Sequence, residues 1–281
     1  MTLLQVEGLC KSFPGRRARW HLKREGTRAV DDVSLDVNDG ETVGLIGESG
    51  AGKSTCARLI ARLIEADAGS VSFDGMNLLG LSREEMGAAR ERMAMVFQDP
   101  YSSFDPRVSI GASVGEPLLL HRRITKDERN RQVAMLLERV GLSSWYMRRK
   151  PRELSGGQLQ RAAIARALTT SPKLIICDEP VAALDVLVRA QTLNLMMDLQ
   201  AEFGIAYLFI THDLALLRML ADRVVVMRYG KVVDRGPIGH MYSDAAHPYT
   251  KELLAAIPSV TPTRRRRVDA ALTTEGAAEQ F

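Results

Sequence analysis

The sequence has few aromatic residues, three scattered cysteines and no long apolar run, and each shortage removes a class of protein. Cys10, Cys56 and Cys177 form no C-x-x-C pair and no Cys/His cluster at metal-ligand spacing. That pattern fits a reducing compartment and argues against a zinc or iron–sulfur centre. No stretch approaches the ~20 apolar residues of a membrane-spanning helix. The N-terminal "MTLLQVEGLCKSF" lacks the layout of a signal peptide. A soluble, cytoplasmic protein is expected, with any membrane role coming through a partner. No internal repeat is visible. The net charge is only +4, and much of it sits in two clusters, residues 16–28 and 264–267. It makes no case for nucleic acid as a partner.

What is present is enough chain, 281 residues, for one large domain or two smaller ones. "LLQVEGLCKSF" and "VDDVSLDVNDG" alternate apolar and polar residues, as half-buried strands do. Between them "PGRRARWHLKREGT" reads as a basic, exposed loop. "ETVGLIG" is a short buried strand leading into a glycine-rich turn. The helix pattern "KSTCARLIARLIEA" follows, with Leu59, Ile60, Leu63 and Ile64 on one face, and "GSVSFDG" returns to strand. Residues 82–153 change character and read as a mainly helical insertion, with helical spacing in "RNRQVAMLLERVGL". Beyond it "KLIIC", "IAYLFIT" and "RVVVM" are strand signals, the first two separated by the helix "QTLNLMMDLQAEF". Such alternation predicts a parallel sheet covered by helices. "MRYGKVVDRG" reads as a hairpin, and Pro248 opens a short helix in "HPYTKELLAAI". From residue 259 the chain has no apolar periodicity and is expected to be a disordered basic tail.

"GESGAGKST" fits the phosphate-loop pattern, and it lies where that pattern has to lie, after a strand and before a helix. Gly47, Gly50 and Gly52, with Glu48, Ser49 and Ala51 between them, let successive N–H groups curl around phosphate oxygens. The following helix points its positive end at the same charge. Lys53 is placed to reach the outer phosphates, Ser54 to offer a hydroxyl to Mg²⁺, and Thr55 completes the motif. "LIICDEP" ends a buried strand in two adjacent acids facing different ways. One of Asp178 and Glu179 can hold the Mg²⁺ shell while the other polarises the attacking water. Three residues are weaker alone: Gln98 in "MVFQDP" and His212 in "LFITHD", since a lone Gln there is usually a surface residue and a lone strand-end His more often structural than catalytic, and Asp185 in "AALD", which a helix cap would explain. Parallel sheets bind ligands at the carboxyl ends of their strands, and there Gln98, Asp178, Glu179 and His212 would gather.

"LSGGQLQRAAIARAL" poses a separate puzzle, because a helix needs a cap and this one offers Ser155, Gly156, Gly157 and Gln158 together. With the phosphate loop, Gln98, "CDEP", "ALD" and His212, in that order, it resembles an ATP-binding-cassette ATPase over residues 3–258. The resemblance implies an α/β P-loop NTPase core with a mainly parallel sheet, an N-terminal antiparallel β subdomain and an inserted helical subdomain at about 82–153. It implies ATP and Mg²⁺ as ligands, with Ser54, Gln98 and Asp178 toward the metal, Glu179 and His212 catalytic, and Asp185 near the nucleotide. It also implies that Ser155 to Gln158 face the γ-phosphate held by a second ATPase subunit in a head-to-tail dimer.

"VFQDPYSSFDPR", "EPVAALDV" and "HPYTKELLAAIP" further resemble the ATPase subunits of dipeptide, oligopeptide and nickel importers, the last (about 240–258) being that group's hallmark. Two transmembrane permease subunits and an extracytoplasmic solute-binding protein are the partners so implied, with the chain on the cytoplasmic face of the plasma membrane. The helical insertion, with Gln98 and residues 101–107 at its entrance, would receive the permease. Phe13 resembles the aromatic residue that stacks on adenine, and a strand core residue is the competing reading. Ala182 departs from the group's usual serine and removes a hydroxyl from the loop that crosses the dimer. A soluble cassette ATPase serving a metabolic complex, without a transporter, is the alternative function.

Overall fold

The computed structural model describes residues 1–14, 26–121 and 124–256. Residues 15–25 of the segment 14–27 expected as a basic loop, and the tail expected to be disordered, lie outside them. Strands β1 (Thr2–Phe13) and β2 (Thr27–Asn38) are followed by β3 (Thr42–Ile46), helix α1 (Lys53–Ile60), β4 (Ala68–Phe73) and β5 (Met76–Asn77). Then come α2 (Arg83–Arg92), β6 (Met93–Val96), α3 (Ile110–Val114), α4 (Glu116–His121), α5 (Lys126–Arg139) and α6 (Gly156–Leu168). The last part holds β7 (Leu174–Asp178), α7 (Val186–Phe203), β8 (Ala206–Thr211), α8 (Leu214–Leu220), the hairpin β9 (Arg223–Arg228) and β10 (Lys231–Pro237), α9 (Ile238–Met241) and α10 (Pro248–Ala255).

Two sheets result. The first is antiparallel, in the order β2-β1-β4-β5, and the second has six strands in the order β10-β9-β3-β8-β7-β6. In the second, β9, β3, β8, β7 and β6 run parallel, and only β10 is antiparallel. Its central strands β3, β7, β8 and β9 are buried on both faces. Ile175, Cys177, Tyr207, Phe209, Val224 and Val226 face a core shared with α6, α7 and α8. Their neighbours Ile176, Leu208, Ile210 and Val225 face a second core shared with α1 and the antiparallel sheet. The period-2 side-chain alternation thus reaches apolar surroundings either way, so these strands read as unbroken apolar runs.

Two expectations are corrected. The helix after the phosphate loop stops at Ile60, because Arg62 takes a positive φ of 47°; Leu63 therefore leaves the expected apolar face and is 47% exposed. Residues 82–153 are not all helical insertion: β6 lies inside them and pairs in parallel with β7 as an edge of the main sheet. Helix α2 leads into β6 and packs against it, so only the stretch beyond Gln98 departs from the sheet.

Candidate functional site

Because β3, β6, β7 and β8 run parallel, their carboxyl ends lie on one edge of the sheet. The phosphate loop follows β3, Gln98 follows β6, Asp178 and Glu179 close β7, and His212 follows β8. A cavity of about 270 Å³ opens there, lined by Ser49, Gly50, Lys53, Ser54, Gln98 and Glu179 among others.

The loop is wedged between two stretches of main chain. A Cβ on Gly47 would lie 2.1 Å from the Met227 carbonyl oxygen, and one on Gly52 2.1 Å from that of Ala29. Only glycine fits at these two positions. Gly52 is also the N-cap of α1 and brings no side chain to cap it. The first N–H groups of the helix are left to whatever occupies the cavity, and they favour an anion. The Lys53 ammonium donates to the carbonyls of Gly47 (2.8 Å) and Glu48 (2.9 Å). Burial lowers its pKa, opposed by the charges of Glu179 and Asp178. A glycine cradle, an uncapped helix start and a buried ammonium together fit a polyphosphate.

Asp178 is buried, and its Oδ1 accepts from the Ser54 hydroxyl at 2.8 Å. Burial raises its pKa, opposed by that hydrogen bond and by the cations Arg58 and Lys53. A divalent cation beside it would favour the carboxylate. Among the described residues no group of three or more His, Cys, Asp or Glu side chains could hold a metal alone. One carboxylate and one hydroxyl are the sparse donor set expected for Mg²⁺, which arrives with phosphate oxygens and waters. The residues present therefore fit Mg²⁺ carried by a nucleotide.

Glu179 sits between two partners: Gln98 Nε2 donates to its Oε2 at 3.0 Å, and His212 Nδ1 lies 3.0 Å from its Oε1. Its backbone has a φ of 48°, a left-handed conformation that costs a residue with a side chain about 1–3 kcal/mol. Its N–H donates to the Ile210 carbonyl at 2.9 Å, which ties the strained residue to β8. The carboxylate is thus aimed by the sheet rather than left to solvent.

Ser155 to Gln158 do not line this cavity. Ser155 caps α6 in a reciprocal box: its hydroxyl accepts from the Gln158 N–H at 3.3 Å, and Gln158 Oε1 accepts from the Ser155 N–H at 2.9 Å. Gln158 Nε2 also donates to the Tyr146 hydroxyl at 2.8 Å. The Ser-x-x-Gln spacing was the signal for this box. It explains the serine and the glutamine, but not the glycines. A Cβ on Gly156 would meet nothing within 4 Å, so that residue faces open space, whereas one on Gly157 would lie 2.5 Å from Val188 Cγ1. Asp185 caps α7, accepting from the Val188 N–H at 3.0 Å. Phe13 ends β1 and is 42% exposed, with the Lys11 ammonium 5.9 Å from its ring centroid, so it is not a core residue.

Residues 30–182 match the ABC transporter family. The chain belongs to that family. It is 45% identical over 273 residues to the glutathione import ATP-binding protein GsiA of Pectobacterium atrosepticum, covering 97% of this chain and 44% of that protein. It is 46% identical over 264 residues to the GsiA of Salmonella typhi, covering 94% of this chain and 42% of that one. The chain spans less than half the length of these curated relatives. Among solved structures it resembles the dimeric ATP-binding cassette MJ0796 in a post-hydrolysis state bound to ADP and Pi, with a TM-score of 0.74 and 28% identity over 84% of this chain and 99% of that one. It also resembles cbiO1 from Clostridium perfringens, part of the ABC transporter complex cbiONQ, with a TM-score of 0.73 and 28% identity over 86% of this chain and 91% of that one. The fold is that of an ABC ATPase: a mainly parallel sheet, an antiparallel subdomain and an inserted helical region.

One contact of this cassette escaped sequence reasoning. Tyr249 of α10 is 1% exposed, and its hydroxyl accepts from the Glu48 N–H of the phosphate loop at 3.1 Å. The "HPYT" motif singled out its position, but nothing local could say what it touches across 201 residues of chain.

Proposed function

We propose that this chain is the ATP-hydrolysing motor of an importer for peptides or a related small solute such as nickel. The observation that carries the reading is Glu179, a carboxylate held by Gln98 and His212 at the wall of the phosphate-loop cavity. Lys53 and the N–H groups opening α1 bind the phosphates, while Ser54 and Asp178, with Gln98, would hold Mg²⁺, which would offset phosphate charge. Glu179 orients a water and accepts its proton as the water oxygen bonds to the γ-phosphorus. The bond from that phosphorus to the bridging oxygen breaks, and ADP departs with the electron pair. With its proton on Nδ1, His212 donates to Glu179 and keeps the carboxylate turned toward that water. Phe13, exposed at the end of β1, is available to stack on adenine.

A second ATPase subunit would complete the site. The dimeric MJ0796 cassette supports a pair; in the head-to-tail arrangement proposed here Ser155 to Gln158 approach the partner's nucleotide and Asp185 lies nearby, with the open face of Gly156 leaving room. No helix among the described residues is long and apolar enough to cross a membrane. Two permease subunits and, through them, an extracytoplasmic solute-binding protein are the partners, and the chain works at the cytoplasmic face of the plasma membrane. A cavity of about 1120 Å³ on the helical region offers the permease a seat; Arg129, Arg131, Arg148, Arg149 and Trp145 line it. Its lining starts at Ser109, past the 101–107 stretch expected at the entrance. The peptide class follows from relatives named for import of glutathione, a tripeptide.

Titration calorimetry with Mg-ATP tests the site. Lys53→Ala should weaken binding about 10- to 100-fold, the worth of a charge-assisted hydrogen bond in a part-buried place. Unchanged affinity would overturn the phosphate-loop reading. Purification from membranes with two permease subunits tests the transport reading, and a chain found only in soluble complexes would favour an accessory ATPase.

A further inference from the structure

The Gly47–Glu48 peptide is gripped from both sides. On the inside, Lys53 donates to the Gly47 and Glu48 carbonyls. On the outside, the Glu48 N–H donates to Tyr249 Oη. Any phosphate that draws Lys53 away from those carbonyls removes the inner grip. The outer one remains, and it depends on how firmly Tyr249 is held.

Tyr249 is held by its ring and by its helix. The Arg228 guanidinium lies 4.4 Å from the ring centroid. Asp234 of β10 accepts from the Thr250 hydroxyl at 2.7 Å and the His247 N–H at 2.8 Å, one on each side of Tyr249, and His240 Nε2 lies 3.2 Å away. Burial alone would raise the pKa of Asp234, but these hydrogen bonds hold it below the usual carboxylate value. The β9–β10 turn adds a parallel brace, since the Gly230 N–H donates to the Ala51 carbonyl at 3.0 Å. A cavity of about 50 Å³ among residues 48–51, Arg228, Tyr229 and Tyr249 gives the loop room to shift if the hydroxyl is lost.

We propose that Tyr249 is a positioning residue for the nucleotide site: anchored through Asp234, its hydroxyl fixes the Glu48 peptide and thereby preorganises the phosphate loop. This rests on the nucleotide-binding reading above. It assigns α10 a task in binding ATP, whatever the transported solute. Preorganisation lowers the ordering cost of a bound ligand without adding a contact to it. Tyr249 does not line the cavity formed by Lys53, Ser54, Gln98 and Glu179, so it acts on affinity and not on the chemical step.

The test is Tyr249→Phe, which keeps the ring and its stacking on Arg228 and deletes only the hydroxyl. Mg-ATP affinity should fall about fivefold, the worth of one neutral hydrogen bond. In the assembled transporter KM for ATP should rise with kcat unchanged. Asp234→Asn, which weakens the anchor, should reduce affinity too, and the double variant should lose no more than the worse single variant. A lower Tm with unchanged affinity in Tyr249→Phe would show a merely structural role and overturn the proposal. Additive losses would overturn the anchoring through Asp234. If Lys53→Ala loses affinity while Tyr249→Phe does not, only the Tyr249 proposal falls. If the wild-type protein itself fails to bind Mg-ATP, both readings fall.

Discussion

Glu179→Gln should bind Mg-ATP at least as tightly as the wild type and hydrolyse it about 10²- to 10⁴-fold more slowly, the span attributed to a positioned general base. The amide has the shape of the carboxylate, and its oxygen can still accept from Gln98 Nε2, now 3.0 Å from Oε2. Its NH₂ group then meets His212 Nδ1, which serves as acceptor in the other tautomer. The constellation survives, but the group that takes the proton from water does not. Binding is preserved or strengthened because a negative charge facing the phosphates is gone. Single-turnover hydrolysis beside calorimetric titration separates the two effects. A wild-type rate of hydrolysis would remove Glu179 from the mechanism.

Ser155→Arg should leave nucleotide affinity of the isolated chain unchanged and slow hydrolysis in the assembled pair by more than about a hundredfold. No residue from 155 to 158 lines the chain's own cavity, so the monomer has nothing to lose there but the helix cap. Losing the cap costs about 1 kcal/mol of stability and is seen as a lower Tm. In the pair, the arginine occupies the approach to the partner's γ-phosphate and removes a donor aimed at developing charge. One such donor is commonly worth about 3 kcal/mol. Ser155→Ala provides the control, removing the same cap without the bulk; its Tm should fall alike and its hydrolysis less. Equal loss of nucleotide affinity in monomer and pair would place Ser155 at its own chain's nucleotide and refute the head-to-tail arrangement.

The chemistry of this chain was legible wherever it is carried by contiguous residues. The phosphate loop needs glycines, a lysine and a serine at fixed spacing between a strand and a helix, and the sequence contains that whole arrangement within residues 42–60. The strand ending in Asp178 and Glu179 was legible for the same reason, since a fully buried apolar run ending in two acids has few structural uses. What surrounds those segments depends on contacts between distant parts of the chain. The apolar run before Gln98 pointed to a strand of the parallel sheet, but only pairing with β7 decided that β6 is its edge. Helical periodicity ran on through Leu63 and Ile64, yet Arg62 turned the chain away, its guanidinium donating to the carbonyls of Leu78 and Leu81. The left-handed backbone of Glu179, the Gln98 and His212 contacts that aim it, and the reach of Tyr249 to Glu48 were all decided by tertiary structure. The reason is physical: a motif records which groups the chemistry needs, whereas their aim is set by hydrogen bonds between segments 33 to 201 residues apart.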